Sequence, residues 1–230
     1  MSLFDLPPLP EVPVLGETEG YPVRRIFCVG RNYADHAREM GHEPDLEAPF
    51  YFTKSPLAIC HSGATIPYAP GTADLHHEME LVVALGAPAF RATREEAEAA
   101  IYAYACGLDM TRRDRQQDGK DKRRPWDLGK DFEDSAVIAP LTKTSEVAPL
   151  GPQRLTLAVN GTLRQDATLD LLLHDVPAVI QHLAGYYHLA PGDLLYTGTP
   201  AGVGAVVEGD VLRGEIEGLT PLDLTIGPAE

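Results

Sequence analysis

The stretch DLHHEMELVV at residues 74–83 restricts the fold more than any other part of the chain. Met79, Leu81 and Val83 alternate with Glu78, Glu80 and Val82, the period of two of a pleated strand, so both carboxylates point to one face. Side chains two residues apart on a strand stand roughly 7 Å from each other. At that range, in a partly dry site, two like charges repel unless a cation lies between them or one takes a proton. Two structures satisfy the pattern: an exposed sheet edge guarded against aggregation by its glutamates, and a buried strand that ends in a cation site. By the same alternation His76 shares the glutamates' face and His77 lies on the other.

Other segments supply the neighbours such a strand needs. VRRIFCVG reads as a strand ending at Gly30, FYFTK as a second strand, and RNYADHAREM as a short helix from about Asn32 that places His36 and Glu39 on one face. TREEAEAAIYAYACG reads as a helix with Thr93 and Glu96 as its capping box, running into LDMT, where Asp109 follows an apolar stretch. Asn160-Gly161 signals a hairpin, Pro177 starts the main later helix, GDLLYTGTPAGVG breaks from a strand into a glycine-rich turn, and residues 210–226 form a last hairpin. The expectation is one α+β domain over residues 21–230, dominated by antiparallel strands, behind an extended Pro-rich and acidic lead-in over residues 1–20.

Charge narrows the function. A formal net charge of −15 works against binding nucleic acid or an anionic membrane. With no leader pattern at the start and no apolar run of membrane-spanning length, the chain reads as cytoplasmic. Cys28, Cys60 and Cys106 lack a CxxC spacing and read as buried, unreactive thiols. Residues 111–130 oppose the overall charge, with eight of the nineteen Lys and Arg against four Asp. That segment is either a solvated charged loop or a basic funnel that gathers a small anionic substrate.

Asp109 adds a third carboxylate. Three carboxylates with no cysteine beside them suit a hard, oxygen-seeking ion such as Mg²⁺ or Mn²⁺, and His76 and His77 suit packing or outer contacts better than ligation. The turn TGTPAGVG has neither GK[ST] nor GxGxxG, which speaks against phosphate binding, and no GxSxG elbow supplies a serine nucleophile.

Taken in order, GRNYADHAREM, FTKSP, LHHEMELVV, GLDMTRRDRQ, PWDLGK and TGTPAGVG resemble the fumarylacetoacetate hydrolase family, especially its short acylpyruvate and fumarylpyruvate hydrolase branch, over residues 23–226. The resemblance implies a mixed, mostly antiparallel β-sheet roll with flanking helices, assembled as a homodimer. It implies that Glu78, Glu80 and Asp109 bind Mg²⁺ or Mn²⁺, that His36 and Glu39 form the dyad that activates water, and that Lys130 steadies negative charge on the substrate. Arg31, Tyr33, Lys54, Arg112, Gln116 and Thr199 fall in the blocks that line the substrate pocket. The implied reaction is hydrolysis of the C–C bond of a small anionic 2,4-dioxo acid, with fumarylpyruvate leading and aromatic degradation as the setting. Decarboxylation of oxaloacetate or another 2-oxo acid, or isomerisation, is compatible with the same site, but the His36–Glu39 pair favours hydrolysis. One departure stands out: KDFEDS sets Asp131 and Glu133 beside Lys130, and their charge counts against a second, distal carboxylate on the substrate.

Overall fold

The strand Met79–Leu85 is buried along its whole length and lies inside a sheet, so it is no exposed edge. In the computed structural model, which describes residues 3–5, 7–41 and 48–230, it pairs with Asp193–Tyr196 on one side and Ile101–Asp109 on the other, both antiparallel. The sheet continues through Arg25–Gly30 to Phe50–Lys54 in one direction and through Ala136–Ile138 to Ile59–His61 in the other. Arg25–Gly30 runs parallel to Asp193–Tyr196, and Ile59–His61 parallel to Ala136–Ile138.

A second, five-stranded sheet is built from the hairpin Arg154–Val159 and Thr162–Thr168, the hairpin Val211–Ile216 and Leu222–Ala229, and the strand Thr65–Tyr68. Asn160 and Gly161 take φ of 51° and 74°, the left-handed pair that a two-residue hairpin turn demands. Helices flank these sheets, and the whole is the mixed, mostly antiparallel α+β roll expected.

The period of two divides the core. Met79, Leu81, Val83 and Leu85 enter a large core shared with Leu155, Leu157 and Leu224 of the second sheet and Val179 and Ile180 of the helix Val176–Leu183. Asp175 caps that helix, accepting from Ala178 N at 3.0 Å, and Pro177 lies in its first turn. Val82 and Ala84 face the other way into a smaller core with Ala103, Ala105, Leu194 and Tyr196. Glu78 and Glu80 continue this second face where its apolar residues end.

Three segments depart from expectation. The helix with the Thr93–Glu96 capping box spans only Arg94–Ala99, and Ile101–Asp109, read from sequence as its continuation, is a strand. Aromatic residues at 102 and 104 favour the pleat, and pairing with Met79–Leu85 outweighs helical propensity. The basic segment is no loop: Arg113–Asp121 is helical. In the lead-in, Glu11–Val12 pairs with Tyr21–Pro22, and Val12 and Val14 are buried in the smaller core. Cys28, Cys60 and Cys106 are free and buried, and no helix among the described residues is long and apolar enough to cross a membrane.

Candidate active site

Strand register alone assembles the three carboxylates. Met79 lies opposite Leu108 and Glu80 opposite Gly107, so Asp109 falls opposite Glu78, and its N–H donates to the Glu78 carbonyl at 2.9 Å. One oxygen from each of Glu78, Glu80 and Asp109 lies within 4.8 Å of the others, and all three residues are buried. Gly107 is needed here: a Cβ would stand 2.4 Å from Val82 Cγ2 and 2.8 Å from Tyr196 Cε1, so only glycine admits these side chains beneath the acids.

Cations surround the trio. Lys130 Nζ, itself buried, donates to Glu78 Oε2 at 2.8 Å, Asp109 Oδ2 at 2.5 Å and Thr111 Oγ1 at 2.7 Å. Arg113 Nη2 donates to Glu78 Oε1 at 2.5 Å. Burial alone would raise the Glu78 carboxyl, but Lys130 and Arg113 outweigh it and hold it far below the usual carboxylate range. Glu80 goes the other way. Burial, then Asp109 and Glu78, push its carboxyl well above its ordinary value, and its main hydrogen-bond donor is the Gly198 N–H at 2.7 Å.

These residues fit a hard divalent ion. Glu80 is crowded by two neighbouring carboxylates, and a cation among the three removes that conflict. Asp109 Oδ1 is a buried acceptor without a hydrogen bond among the described residues. Lys54 Nζ lies 2.8 Å from it, close enough to neutralise charge, and gives two of its three protons to the carbonyls of Met110 and Lys130. A lone pair in that position suits a metal ligand better than an orphan.

The helix Ala34–Glu39 brings the dyad to the same cavity. Asn32 pins its start, donating to the His174 and Thr197 carbonyls at 2.9 Å each and accepting from His174 N at 2.8 Å. His36 is 6% exposed, with Nδ1 3.2 Å from Glu39 Oε2, while Glu39 Oε1 accepts from Gly202 N at 3.0 Å. Burial depresses the imidazole pKa, against the pull of Glu78 and Glu39.

A cavity of about 30 Å³ joins these groups, room for a water. Of the residues expected there, His36, Glu78, Glu80, Lys130, Arg31, Gln116 and Thr199 line it. Asp109 and Glu39 stand directly behind that wall. Tyr33, Lys54 and Arg112 do not reach it. Tyr33 is buried at the start of the His36 helix, and Lys54 is buried beneath Asp109. Arg112 turns away, its guanidinium 4.2 Å over the Phe132 ring and Nη1 donating to the Leu128 carbonyl at 3.3 Å. Its neighbour Arg113 takes the place beside Glu78 because the helix begins there, which sets the phase of everything after it.

Arg113 and Lys120 went unnoticed in the sequence, although 113, 116 and 120 share a helical face. Gln165 was missed as well. Fully buried, it accepts from Met79 N at 3.0 Å and donates to Thr199 Oγ1 at 2.8 Å and the Pro200 carbonyl at 2.9 Å, tying the glutamate strand to the glycine-rich turn. His77 Nδ1 meets the same Gln165 Oε1 at 3.2 Å, and burial lowers its pKa to about 4, so it is a neutral packing residue. His76 pairs with Asp74 at 2.9 Å.

Known proteins resemble the chain in sequence and in structure. The family described as "Fumarylacetoacetate (FAA) hydrolase C-terminal" matches residues 25–227. A fumarylpyruvate hydrolase of Ralstonia sp is 49% identical over 193 residues, 83% of this chain and 100% of that protein. The mitochondrial oxaloacetate tautomerase of Pongo abelii is 37% identical over 211 residues, 90% of this chain and 93% of that one. The crystal structure of fumarylpyruvate hydrolase from Pseudomonas aeruginosa in complex with Mn²⁺ and pyruvate matches with a TM-score of 0.95 at 40% identity, covering 99% of this chain and 100% of that one.

Proposed function

The chain belongs to the fumarylacetoacetate hydrolase family, and from that premise we propose that it hydrolyses the C–C bond of an acylpyruvate, converting fumarylpyruvate to fumarate and pyruvate. The observation that carries this reading is the meeting, on one cavity, of a buried carboxylate trio and a His–Glu pair. Similarity to fumarylpyruvate hydrolases in sequence and in structure supports the choice of substrate.

Glu78, Glu80 and Asp109 would hold Mg²⁺ or Mn²⁺. When bound, such an ion acts as a Lewis acid on the 1-carboxylate and 2-oxo group of the substrate. The chain's own residues do the rest. Glu39 accepts the Nδ1 proton of His36, which leaves Nε2 as the basic nitrogen facing the cavity. That nitrogen takes a proton from water as the hydroxyl adds to the C4 carbonyl. The C3–C4 bond then breaks, its electron pair stays on C3, and the negative charge that spreads to the 2-oxo oxygen faces Lys130 and Arg113 until C3 takes back the proton held on His36, which gives pyruvate and the free acid's carboxylate. Family resemblance supports homodimeric assembly and a place in aromatic degradation.

Two results follow. Protein stripped by chelator is expected to lose the absorbance decay of fumarylpyruvate and to regain it with Mg²⁺ or Mn²⁺, releasing fumarate and pyruvate. Turnover of oxaloacetate alone would keep the site and replace the reaction. Second, the base works only when neutral, and burial lowers its pKa from the ordinary 6.5. The rate kcat/KM is therefore expected to rise with pH through a midpoint below 6.5 and to stay level above it; a midpoint above 7 in a pH–rate profile would remove His36 from that role.

A further inference from the structure

We infer that Lys120, with Arg31 beside it, forms a subsite for the far carboxylate of a dicarboxylic acyl chain, an assignment that rests on the acylpyruvate reading above. The cavity that holds His36, Glu78 and Lys130 at its inner end continues outward past Arg31, Lys120 and Trp126. The same three residues line an adjoining cavity of about 550 Å³, whose wall also carries Arg123 and Arg124. With the 2-oxo acid end of the substrate held at the carboxylate trio and C4 facing His36, the acyl chain has this outer region to extend into. An acetyl group stops short of it, and a fumaryl group carries a second carboxylate towards it.

The walls there are built for an anion. Lys120 Nζ lies 5.4 Å from the Trp126 ring centroid and the Arg31 guanidinium 5.5 Å from that of Phe50, and the two rings meet edge to face at 5.4 Å. One aromatic pair thus holds two cations at the mouth of the site. No carboxylate among the described residues forms an ion pair with Lys120, and burial, then Arg113 and Arg31, bring its pKa down to about 8. An ammonium crowded by cations gains most from an incoming carboxylate. Asp121, the acidic group on the outer wall, accepts from Gln117 Nε2 at 2.7 Å.

The sequence pointed the other way, through Asp131 and Glu133, and the structure shows why that inference fails. Asp131 Oδ1 accepts from Ser55 N at 2.7 Å, Glu133 is exposed, and neither lines the cavity. Adjacency to Lys130 in the chain does not bring their charge to the substrate.

The test compares kcat/KM for fumarylpyruvate and acetylpyruvate in the metal-loaded native enzyme, Lys120→Met and Lys120→Arg. The fumarylpyruvate-to-acetylpyruvate ratio is expected to fall ten- to hundredfold in Lys120→Met, mostly through KM, and to recover most of that loss in Lys120→Arg. Calorimetry on the native enzyme gives a reading independent of any variant: fumarate is expected to bind at least tenfold tighter than crotonate, which carries a methyl group in place of the far carboxylate. An unchanged ratio, or equal binding of the two acids, overturns the subsite. Failure of the native enzyme to cleave either acylpyruvate overturns the reaction instead.

Discussion

His36→Ala is expected to cut fumarylpyruvate hydrolysis by about 10²- to 10⁴-fold in kcat, the usual worth of a positioned general base. The effect should fall on kcat because in the proposed reaction the imidazole meets water, whereas the 2-oxo acid end of the substrate would be held by the cation at the carboxylate trio, with Lys130 and Arg113 beside it. The fold should survive the change. Asn32 anchors the start of the helix through three hydrogen bonds, and Glu39 Oε1 keeps its bond from Gly202 N, so neither end depends on the imidazole. The variant also separates reactions that share the site. Tautomerisation or decarboxylation of oxaloacetate needs no activated water, so any such turnover would survive His36→Ala while hydrolysis disappears. Absorbance decay of the two substrates, read on a variant whose melting temperature matches the native protein, decides the matter. Hydrolysis within tenfold of native would end the role given to the dyad.

How far the sequence revealed this site depends on the kind of periodicity each residue belongs to. Glu78 and Glu80 interrupt an alternation, so their shared face could be read directly, and Asp109 stood out as an acid closing an apolar run. Both signals are local. The pairing that sets Asp109 opposite Glu78 is not local, but a strand ending in an acid has few partners that could neutralise it. Arg113, Gln116 and Lys120 escaped because their helix has no apolar stripe; in a run such as RRDRQQDGKD every helical face is polar, and hydrophobic periodicity has nothing to register. The choice of Arg112 over Arg113 then turned on where the helix begins, and a slip of one residue rotates a side chain by about 100°. Ile101–Asp109 was misread for the opposite reason. Its alanines and tyrosines suit a helix as well as a strand, and the decision came from Met79–Leu85 lying alongside.

The same contrast explains Asp131 and Gln165. A carboxylate next to a key lysine in the chain invites an electrostatic argument, yet the bond to Ser55 N takes Asp131 out of the site. Gln165 lies on the hairpin strand Thr162–Thr168 among exposed residues, and only the packing of that hairpin against the glycine-rich turn buries it and makes it a brace for Glu78 and Thr199. Roles created by tertiary contact leave no mark in local pattern.

Lys130→Met should separate stability from turnover. The ammonium is buried and donates to two buried carboxylates and Thr111, and methionine fills much the same volume without donating anything. Removing one partner of a buried ion pair costs about 3–5 kcal/mol, because the remaining charge stays desolvated. In a domain of this size each kcal/mol moves the melting temperature by roughly 2–4 °C, so the metal-free variant should melt roughly 6–20 °C below the native protein. Divalent cation should return more stability to this variant than it adds to the native protein, since in the native site an incoming ion meets the Lys130 charge next to the same carboxylates. Activity should not follow. Without the ammonium the negative charge that spreads from C3 to the 2-oxo oxygen loses a preorganised positive charge beside it, worth about 10²- to 10³-fold in kcat. Thermal melts with and without Mn²⁺, paired with kcat at saturating metal, test both halves. A melting temperature within 2 °C of native would mean that Lys54 and Arg113 already neutralise the trio, and full turnover at saturating metal would mean that the ion alone carries the electrostatic work assigned to Lys130.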